Sequence, residues 1–417
     1  MKILFRNAKI IDQSSAYHNQ IIDMAIDNGI ITDIGEKLVI SHDSQEIILE
    51  NLHISQGWFD SSVSFGEPGF ENFETIANGL QVAAKSGFTA VALQPNTNPV
   101  VDNQALIQFV KSKSEGFATD LYPIGAFTKK SEGKDLAEMF DMKNAGAIAF
   151  GDYAKSIANA NLLKIGLQYV QDFDGLLLAF CQDENIAANG IANESEHTIH
   201  LGLKGLPNLA EEVQVARNLF LLEYTGGKLH FPTLSTAKSV ALIREAKAKN
   251  LNVSCSVSVH HLTLTDKELQ HFDTRYKVLP PLRTETDIFA LLAAVLDGTI
   301  DMITTDHNPV DIEHKKMEFD LAKNGTIGLE SAFGMLQTIL PLETIIEKLS
   351  ASKKIFNIEN TRIEIGEKAN ITLFNPDGKS VFSNEYILSK SRNSAFLGKE
   401  MLGSVYGIFN NNQLVLK

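Results

Sequence analysis

The middle of the chain alternates between two hydrophobic periods, one typical of strands and one typical of helices. From Leu251 to Val259 every second residue is apolar, with Asn and Ser between, which predicts a strand with one apolar and one polar face. Glu71 to Lys85 carries apolar residues three and four positions apart, which predicts a helix, and Phe88 to Leu93 predicts the next strand. Strands and helices that alternate in this way are typical of a parallel β/α fold.

Turn and capping residues support the same division of the chain. Ser235 and Thr236 precede a segment with helical periodicity and are suited to cap it. Near the N-terminus, Asn28-Gly29 stands between two apolar runs and predicts a tight hairpin, because both residues tolerate a positive φ. The segment from Asn370 to Gly378 predicts a strand and a turn, and β-like sequence continues from there towards the C-terminus.

Length and composition narrow the class of protein. The 417 residues exceed one ordinary domain, and a (β/α)8 barrel of about 250 residues with a smaller unit accounts for them. The net charge of −14 argues against nucleic acid or an anionic membrane as the main partner, since both bind basic surfaces. The N-terminus lacks a signal-peptide pattern, no apolar run has membrane-spanning length, and Cys181 and Cys255 lie in apolar surroundings, so we expect a reduced, cytoplasmic protein.

The segment from Ile54 to Gly69 carries a distinctive run, with Asp60, Val63 and then Glu67-Pro68-Gly69. This run resembles the first barrel strand of the dihydroorotase family of amidohydrolases, whose pattern reads P-G-[FL]-I-D-x-H-V-H-[LF]-R-E-P-G. Further blocks that resemble the family follow in order along nearly the whole chain: Gly87-Phe88-Thr89, Pro95-Asn96-Thr97, Ser235-Thr236, His260-His261-Leu262, Pro280-Pro281-Leu282-Arg283, Asp306-His307, Gly328-Leu329-Glu330 and Ser389-Lys390-Ser391.

The resemblance implies an α/β fold with two units. Residues 54–360 are expected to form a (β/α)8 barrel. Residues 1–53 and 361–417 are expected to pair into one small β-sandwich beside it.

The resemblance also implies a binuclear zinc site, and here the chain departs from the family. In that site zinc lowers the pKa of bound water from 15.7 to about 7 and so supplies the nucleophile that opens a cyclic amide. Asp306, the ligand and proton shuttle of the last strand, is retained, and the carboxylate of the fourth strand falls on Asp152 or on Tyr153. The positions of the histidine ligands are occupied by other residues, namely Ser62, Ser64, Phe180 and Thr233.

The substrate contacts that the family implies have changed in parallel. Gly66 replaces an arginine, Leu279 an asparagine and Val310 a histidine, which leaves Asn96 as the remaining contact. Hydroxyls are poor zinc ligands and a phenyl ring is none. We therefore expect neither a bound metal nor another cofactor, and we expect Asp306 to be a vestigial hydrogen-bonding carboxylate.

A preserved framework around a dismantled site favours a catalytically silent member of the family, a pseudoenzyme of pyrimidine biosynthesis. The resemblance is nearest to inactive dihydroorotase-like chains that assemble with aspartate transcarbamoylase. It implies that this chain scaffolds or regulates the transcarbamoylase catalytic chain within a homo- or hetero-oligomer.

Two other hypotheses stay open. In the first, the chain is an active dihydroorotase or another cyclic amidohydrolase that binds zinc through unrecognised ligands. The side chains available as such ligands are those of His230, His260, Asp306 and His307. Alternatively it is a sensor whose hydroxyl-rich barrel mouth binds a neutral metabolite through Ser62, Ser64, Thr233 and Ser258.

Overall fold

The computed structural model describes residues 1–39 and 43–417. In chain order the strands are β1 (Lys2–Ile11), β2 (Ile21–Asp27), β3 (Ile30–Gly35), β4 (Gln45–Ile47), β5 (His53–Gln56), β6 (Trp58–Val63), β7 (Phe88–Leu93), β8 (Asp120–Gly125), β9 (Ala149–Gly151), β10 (Leu176–Leu178), β11 (Ala192–Asn193), β12 (Gly205–Leu206), β13 (Lys228–Phe231), β14 (Val253–Ser258), β15 (Met302–Thr304), β16 (Ile371–Val381), β17 (Glu400–Asn410) and β18 (Gln413–Leu416).

The helices are α1 (Ile76–Lys85), α2 (Gln104–Lys113), α3 (Met139–Ala145), α4 (Ala160–Tyr169), α5 (Glu184–Ala187), α6 (Glu196–His200), α7 (Asn208–Thr225), α8 (Ala237–Ala248), α9 (Val259–Thr263), α10 (Glu285–Leu296), α11 (Ile312–Lys315), α12 (Ala332–Leu336) and α13 (Leu342–Ser350). Short 3₁₀ segments lie at Lys129–Ser131, Val170–Phe173, Asp266–His271, Thr274–Tyr276, Ala351–Phe356 and Asn384–Tyr386. None of the helices within the described ranges is long and apolar enough to cross a lipid bilayer.

Parallel strands form a nearly closed barrel in the order β6-β7-β8-β9-β10-β13-β14-β15. The last strand meets the first where Val63 forms a parallel bridge with His307 and the Ser64 N–H donates to the His307 carbonyl at 2.8 Å. The predicted (β/α)8 architecture is confirmed. The carboxyl ends of all eight strands consequently face one mouth, where barrels of this type place their functional residues.

The strands from the two chain ends pair into a second sheet in the order β18-β17-β16-β5-β1-β2-β3, with β4 beside β1. The meeting point is β5, which pairs with β1 in parallel and with β16 in antiparallel orientation. Phe5 and Ile54 share an apolar core with Leu373 and Phe409. Both termini therefore build one unit, as the resemblance implies, and its strand β5 runs three residues past the expected limit at His53, to Gln56.

Local sequence signals account for several element boundaries. Asn28 and Gly29 adopt φ values of 49° and 82° in the tight turn between β2 and β3, which confirms the predicted hairpin. Thr236 caps α8, because its side chain accepts a hydrogen bond from the Ser239 N–H.

One predicted helix starts later than its periodicity indicates. The helix expected from Glu71 begins at Ile76, with Thr75 as its N-cap. Glu74 is fully buried, and its carboxylate accepts from the Lys390 N–H and the Thr75 N–H at 2.9 Å each. These tertiary hydrogen bonds hold the residues before Thr75 outside the helix.

The amino-terminal end of the barrel interior is packed with apolar side chains. Phe59, Ile124 and Met302 belong to one buried cluster with Phe356, which follows α13. The Phe356 ring lies 5.3 Å from the Phe59 ring and 5.7 Å from the ring of His230. Close packing of these apolar side chains fills the space between them at this end of the barrel.

Candidate functional site at the carboxyl end of the barrel

The strand ends bring together residues that are far apart in sequence. Asp306 follows β15, and its Oδ1 atom accepts from the Ser62 hydroxyl at 2.8 Å and from the Tyr153 hydroxyl at 3.0 Å. The Gln94 amide donates in turn to the Ser62 hydroxyl at 3.1 Å. Asp306 thus accepts from two neutral hydroxyls, and it forms no ion pair with any residue in the described ranges.

Burial governs the protonation of both acidic groups in this cluster. Asp306 is 6% exposed, and burial raises its pKa to about 6, with the neighbouring Asp60 charge acting in the same direction. The two hydroxyl donors oppose this shift. Burial and the charge of Asp306 raise the pKa of Tyr153 well above its ordinary value, so the phenol stays protonated and can donate.

Asp60 is the second buried carboxylate and fixes the strand ends. It accepts from the Ser62 N–H and the Thr305 N–H at 3.0 Å each, and from the hydroxyls of Thr304 and Thr305. Two of its four donors are backbone groups of two different strand ends, so Asp60 ties the segment after β15 to β6. Burial raises the pKa of Asp60 as well.

Asp152 and Tyr153 follow the fourth barrel strand, and their side chains make different contacts. Asp152 accepts from the backbone N–H groups of Phe127 and Thr128 at 3.0 Å each and from the Thr128 hydroxyl, so it anchors the loop after β8. Tyr153 is the residue whose side chain reaches Asp306.

The other positions singled out by sequence surround the same place. Phe180 and Thr233 line a cavity together with Ser62, Asp152 and Tyr153. The cavity volume is about 20 Å³, room for roughly one water molecule.

Ser64 and Asn96, which the sequence also singled out, lie beside this cavity, whereas Ser258 has a structural role at a helix end. The Ser64 hydroxyl donates to the Asn96 side chain at 3.1 Å. Ser258, grouped with the mouth hydroxyls by sequence, caps α9 and bonds to the His261 ring at 2.7 Å.

The donors that converge on Asp306 do not fit a zinc ion. Zinc in proteins is bound by imidazole, thiolate and carboxylate groups. Here Asp306 is joined by the Ser62 hydroxyl and a protonated phenol. Within the part of the chain that the structure describes, no group of three or more His, Cys, Asp or Glu side chains is arranged to hold a metal.

The histidines near the barrel do not form a replacement site. The His230 ring lies between the Ser254 and Ser256 hydroxyls, at 2.9 and 3.2 Å. His307 Nδ1 accepts from the backbone N–H groups of Gly328 and Leu329. Burial lowers the pKa of His230 to about 3 and that of His307 to about 4, so both rings are neutral structural groups at neutral pH.

His260 makes no hydrogen bond to Asp306 or to the hydroxyls around it. It is 1% exposed, and neither of its ring nitrogens has a hydrogen-bond partner among the described residues. Burial and the adjacent His261 lower its pKa well below the ordinary value.

Sequence reasoning missed Gln94 and did not assign Tyr153 to Asp306. Gln94 follows directly after β7, and Tyr153 lies two residues after β9. Polar residues just beyond barrel strands point into the mouth, so position relative to the strand end was the signal that could have identified both.

Comparison with known proteins shows one consistent family. The family described as "Dihydro-orotase-like" matches residues 53–239. The chain is 39% identical over 424 aligned residues to a protein named dihydroorotase from Pelotomaculum thermopropionicum, covering 100% of this chain and 99% of that protein. It is 37% identical to a dihydroorotase from Acetivibrio thermocellus, with the same coverage of 100% and 99%.

Solved structures show the same architecture at lower sequence identity. An L-hydantoinase (dihydropyrimidinase) from Arthrobacter aurescens superimposes with a TM-score of 0.86 at 19% identity, covering 100% of this chain and 96% of that one. A D-hydantoinase (dihydropyrimidinase) from Thermus sp. gives a TM-score of 0.82 at 20% identity, with coverage of 100% and 95%. These similarities concern the fold.

Proposed function

The chain belongs to the dihydroorotase family, amidohydrolases of pyrimidine metabolism, and we propose that it acts there as a member that does not hydrolyse a cyclic amide. The observation that carries this proposal is the Asp306 cluster. The Oδ1 atom of its carboxylate accepts from the hydroxyls of both Ser62 and Tyr153, and the adjoining cavity of about 20 Å³ leaves no space for a pyrimidine ring beside it.

Zinc chemistry has no part in the proposed function, because the side chains around Asp306 do not fit the metal. No other group around Asp306 activates water in place of zinc. Tyr153 is protonated and Asp306, with a pKa of about 6, is a far weaker activator of water than bound zinc.

Turnover of dihydroorotate tests the proposal directly. We expect ring opening by the purified chain to stay at the level of the buffer blank. The matched control is Asp306→Asn, which removes the carboxylate that accepts from Ser62 and Tyr153. Ring opening that the wild type performs and that Asp306→Asn loses would contradict the proposal, whereas equal rates in both proteins would indicate a contaminant.

We further propose that the chain assembles with the catalytic chain of aspartate transcarbamoylase. This part rests on the resemblance described above and on an exposed apolar face of α7. Leu209, Val213, Phe220 and Tyr224 recur on one side of that helix and are 52%, 40%, 70% and 78% exposed. Large exposed apolar side chains in a row mark surfaces that bind other proteins.

Size-exclusion chromatography of the two chains mixed at micromolar concentration tests this assembly. We expect one large complex with the wild type and separate peaks with Phe220→Glu/Tyr224→Glu. Phe140→Glu, an exposed aromatic residue on α3, serves as the control and should leave the complex unchanged. Separate peaks with the wild type would contradict the proposed assembly.

The second candidate function is that of an active dihydroorotase. The names of the relatives favour it over the catalytically inactive family member that sequence reasoning placed first. Proteins that are 37–39% identical over the whole chain carry the name dihydroorotase. For this candidate the side chains that line the cavity, among them Tyr153 and Phe180, have to move to admit substrate. Substrate turnover that depends on Asp306 is the result that would favour it.

A further inference from the structure

A basic pocket lies beside the barrel mouth and shares no lining residue with the cavity next to Asp306. Its volume is about 560 Å³, within the range of about 300–1,000 Å³ that is typical of small-molecule sites. The walls come from the loop before α1, the segments that follow β14 and β15, and the segment before β17. Parts of the chain that are distant in sequence thus converge on one concave surface.

Positive charge in this pocket exceeds the negative charge. The basic side chains are Arg275, Lys315, Lys316, Lys390 and Arg392. Arg275 is paired with Asp273 at 2.5 Å, and the other four form no ion pair with residues 1–39 or 43–417. The surplus stands out because the whole chain carries a net charge of −14, and a cleft lined by one sign of charge concentrates ions of the opposite sign.

Among the described residues, Asp311 is the one carboxylate that lines the pocket, and it already accepts hydrogen bonds. Asp311 accepts from the Asn72 side chain at 2.6 Å and from the His314 ring at 2.6 Å. Lys390 and Arg392 donate to backbone carbonyls, Lys390 to that of Glu71 at 2.6 Å. Neutral carbonyls orient these cations without neutralising them.

Lys315 is a buried cationic side chain in the wall of the same pocket. Its side chain is 4% exposed, and its ammonium donates to the carbonyls of Thr274 at 2.8 Å and Lys277 at 3.1 Å. Burial and the charge of Lys277 lower the pKa of Lys315 to about 7, whereas the Asp273 carboxylate acts in the opposite direction. A bound anion would favour the charged form of Lys315 in the same way as Asp273.

The shape and chemistry of the walls define the class of ligand. Lys316, Lys390 and Arg392 are exposed cations without an ion pair among the described residues. Three such cations exceed what one carboxylate group needs, whereas a phosphate carries nearly two negative charges and three acceptor oxygens. Ile312, 69% exposed, and Val310 form an apolar part of the wall. We propose that this pocket binds a phosphorylated small molecule, with its phosphate at Lys316, Lys390 and Arg392 and its organic part against Ile312.

The proposal is independent of the function proposed above. The pocket shares no lining residue with the cavity beside Asp306, although its Val310 stands at a substrate-contact position of the family. Anion binding is measured on the isolated chain whether or not that chain opens a cyclic amide. Absence of turnover and absence of anion binding are therefore separate results.

Isothermal titration calorimetry of the full chain with ATP, inorganic pyrophosphate and adenosine, without magnesium, tests the proposal. We expect ATP and pyrophosphate to bind and adenosine not to bind. Tighter binding of ATP than of pyrophosphate would identify an organic phosphate as the ligand, and equal affinity would identify the phosphate group alone. No binding of ATP or pyrophosphate at millimolar concentration would overturn the proposal.

Two variants locate the binding. Lys316→Ala/Arg392→Ala should weaken binding of ATP by at least about tenfold, since charge-assisted hydrogen bonds to phosphate are the stronger kind. Both residues are exposed, so folding should be unaffected. The control Lys204→Ala/Lys238→Ala removes the same charge from exposed positions outside the pocket and should bind like the wild type. Equal weakening in both variants would overturn the proposed site.

Discussion

The two ends of the barrel interior are filled by opposite kinds of side chain. At the amino-terminal end, Phe59 and Phe356 pack in an apolar cluster. At the carboxyl end, Asp306 is buried among hydroxyls. The first end stabilises the fold through burial of apolar surface, whereas the second holds a carboxylate whose charged form is disfavoured by burial. Changes at the first end should therefore destabilise the protein, and some changes at the second should not.

Phe356→Ala tests the packed end and should have the largest effect. We expect the free energy of unfolding to fall by about 3–5 kcal/mol, because a large buried side chain leaves a cavity behind. Urea unfolding followed by circular dichroism measures the change. Phe289→Ala, at a position that is 68% exposed, should change stability by much less, by about 0.5 kcal/mol. A loss of less than about 1 kcal/mol in Phe356→Ala would refute the contrast between the two ends.

Asp60→Asn tests the carboxylate that accepts fixed donors. Oδ1 and Oδ2 each accept from one backbone N–H, of Ser62 and of Thr305 respectively. An asparagine amide can accept on one side only, so one of these buried N–H groups loses its partner, which costs about 1–3 kcal/mol. Stability unchanged within about 0.5 kcal/mol would show that Asp60 does not tie β6 to the segment after β15.

Asp306→Asn should increase the stability of the protein at alkaline pH, whereas Asp60→Asn should decrease it. The donors to Asp306 are hydroxyls, which can rotate to accept from an amide. The folded-state pKa of about 6 lies above the unfolded value of about 3.9, so this group's contribution to wild-type stability falls as the pH rises from about 4 to about 6. We expect the variant to be more stable than the wild type by about 1–3 kcal/mol at pH 8, with the difference disappearing at pH 4.

Urea unfolding of both proteins at the two pH values measures this difference. A variant less stable than the wild type at pH 8 would show that the Asp306 charge is stabilised by interactions beyond Ser62 and Tyr153.

Tyr153→Phe should produce the smallest effect. It removes one of the two hydroxyl donors to Asp306, so stability at pH 8 should fall by about 0.5–1.5 kcal/mol. The loss should be smaller in the Asp306→Asn background, because the acceptor is then uncharged. Equal losses in both backgrounds, measured by a double-mutant cycle, would mean that Tyr153 acts through packing and not through Asp306.

The fold could be predicted from the sequence because its signals are local and repeated. The alternation in β14 places Val253, Cys255 and Val257 in the core, as its apolar face predicts. The Asn28-Gly29 turn and the Thr236 cap also follow from single residues. The start of α1 could not be predicted, because Glu74 is held by the Lys390 backbone, 316 positions away.

Part of the membership of the candidate site could be predicted, but Gln94 and the bonding could not. The positions of Ser62, Thr233 and Phe180 follow from the family pattern, and the structure brings them to one cavity. The choice between Asp152 and Tyr153 depends on which way each side chain turns. That direction is set by the loop after β8, whose N–H groups bind Asp152.

Hydroxyl and phenyl side chains at the ligand positions should leave the barrel mouth without zinc affinity. Zinc content can be measured by mass spectrometry of the chain, purified without a chelator and without a histidine tag. We expect less than about one-tenth of a zinc equivalent per chain. Close to two equivalents of zinc that survive dialysis and are lost in Asp306→Asn would contradict this expectation.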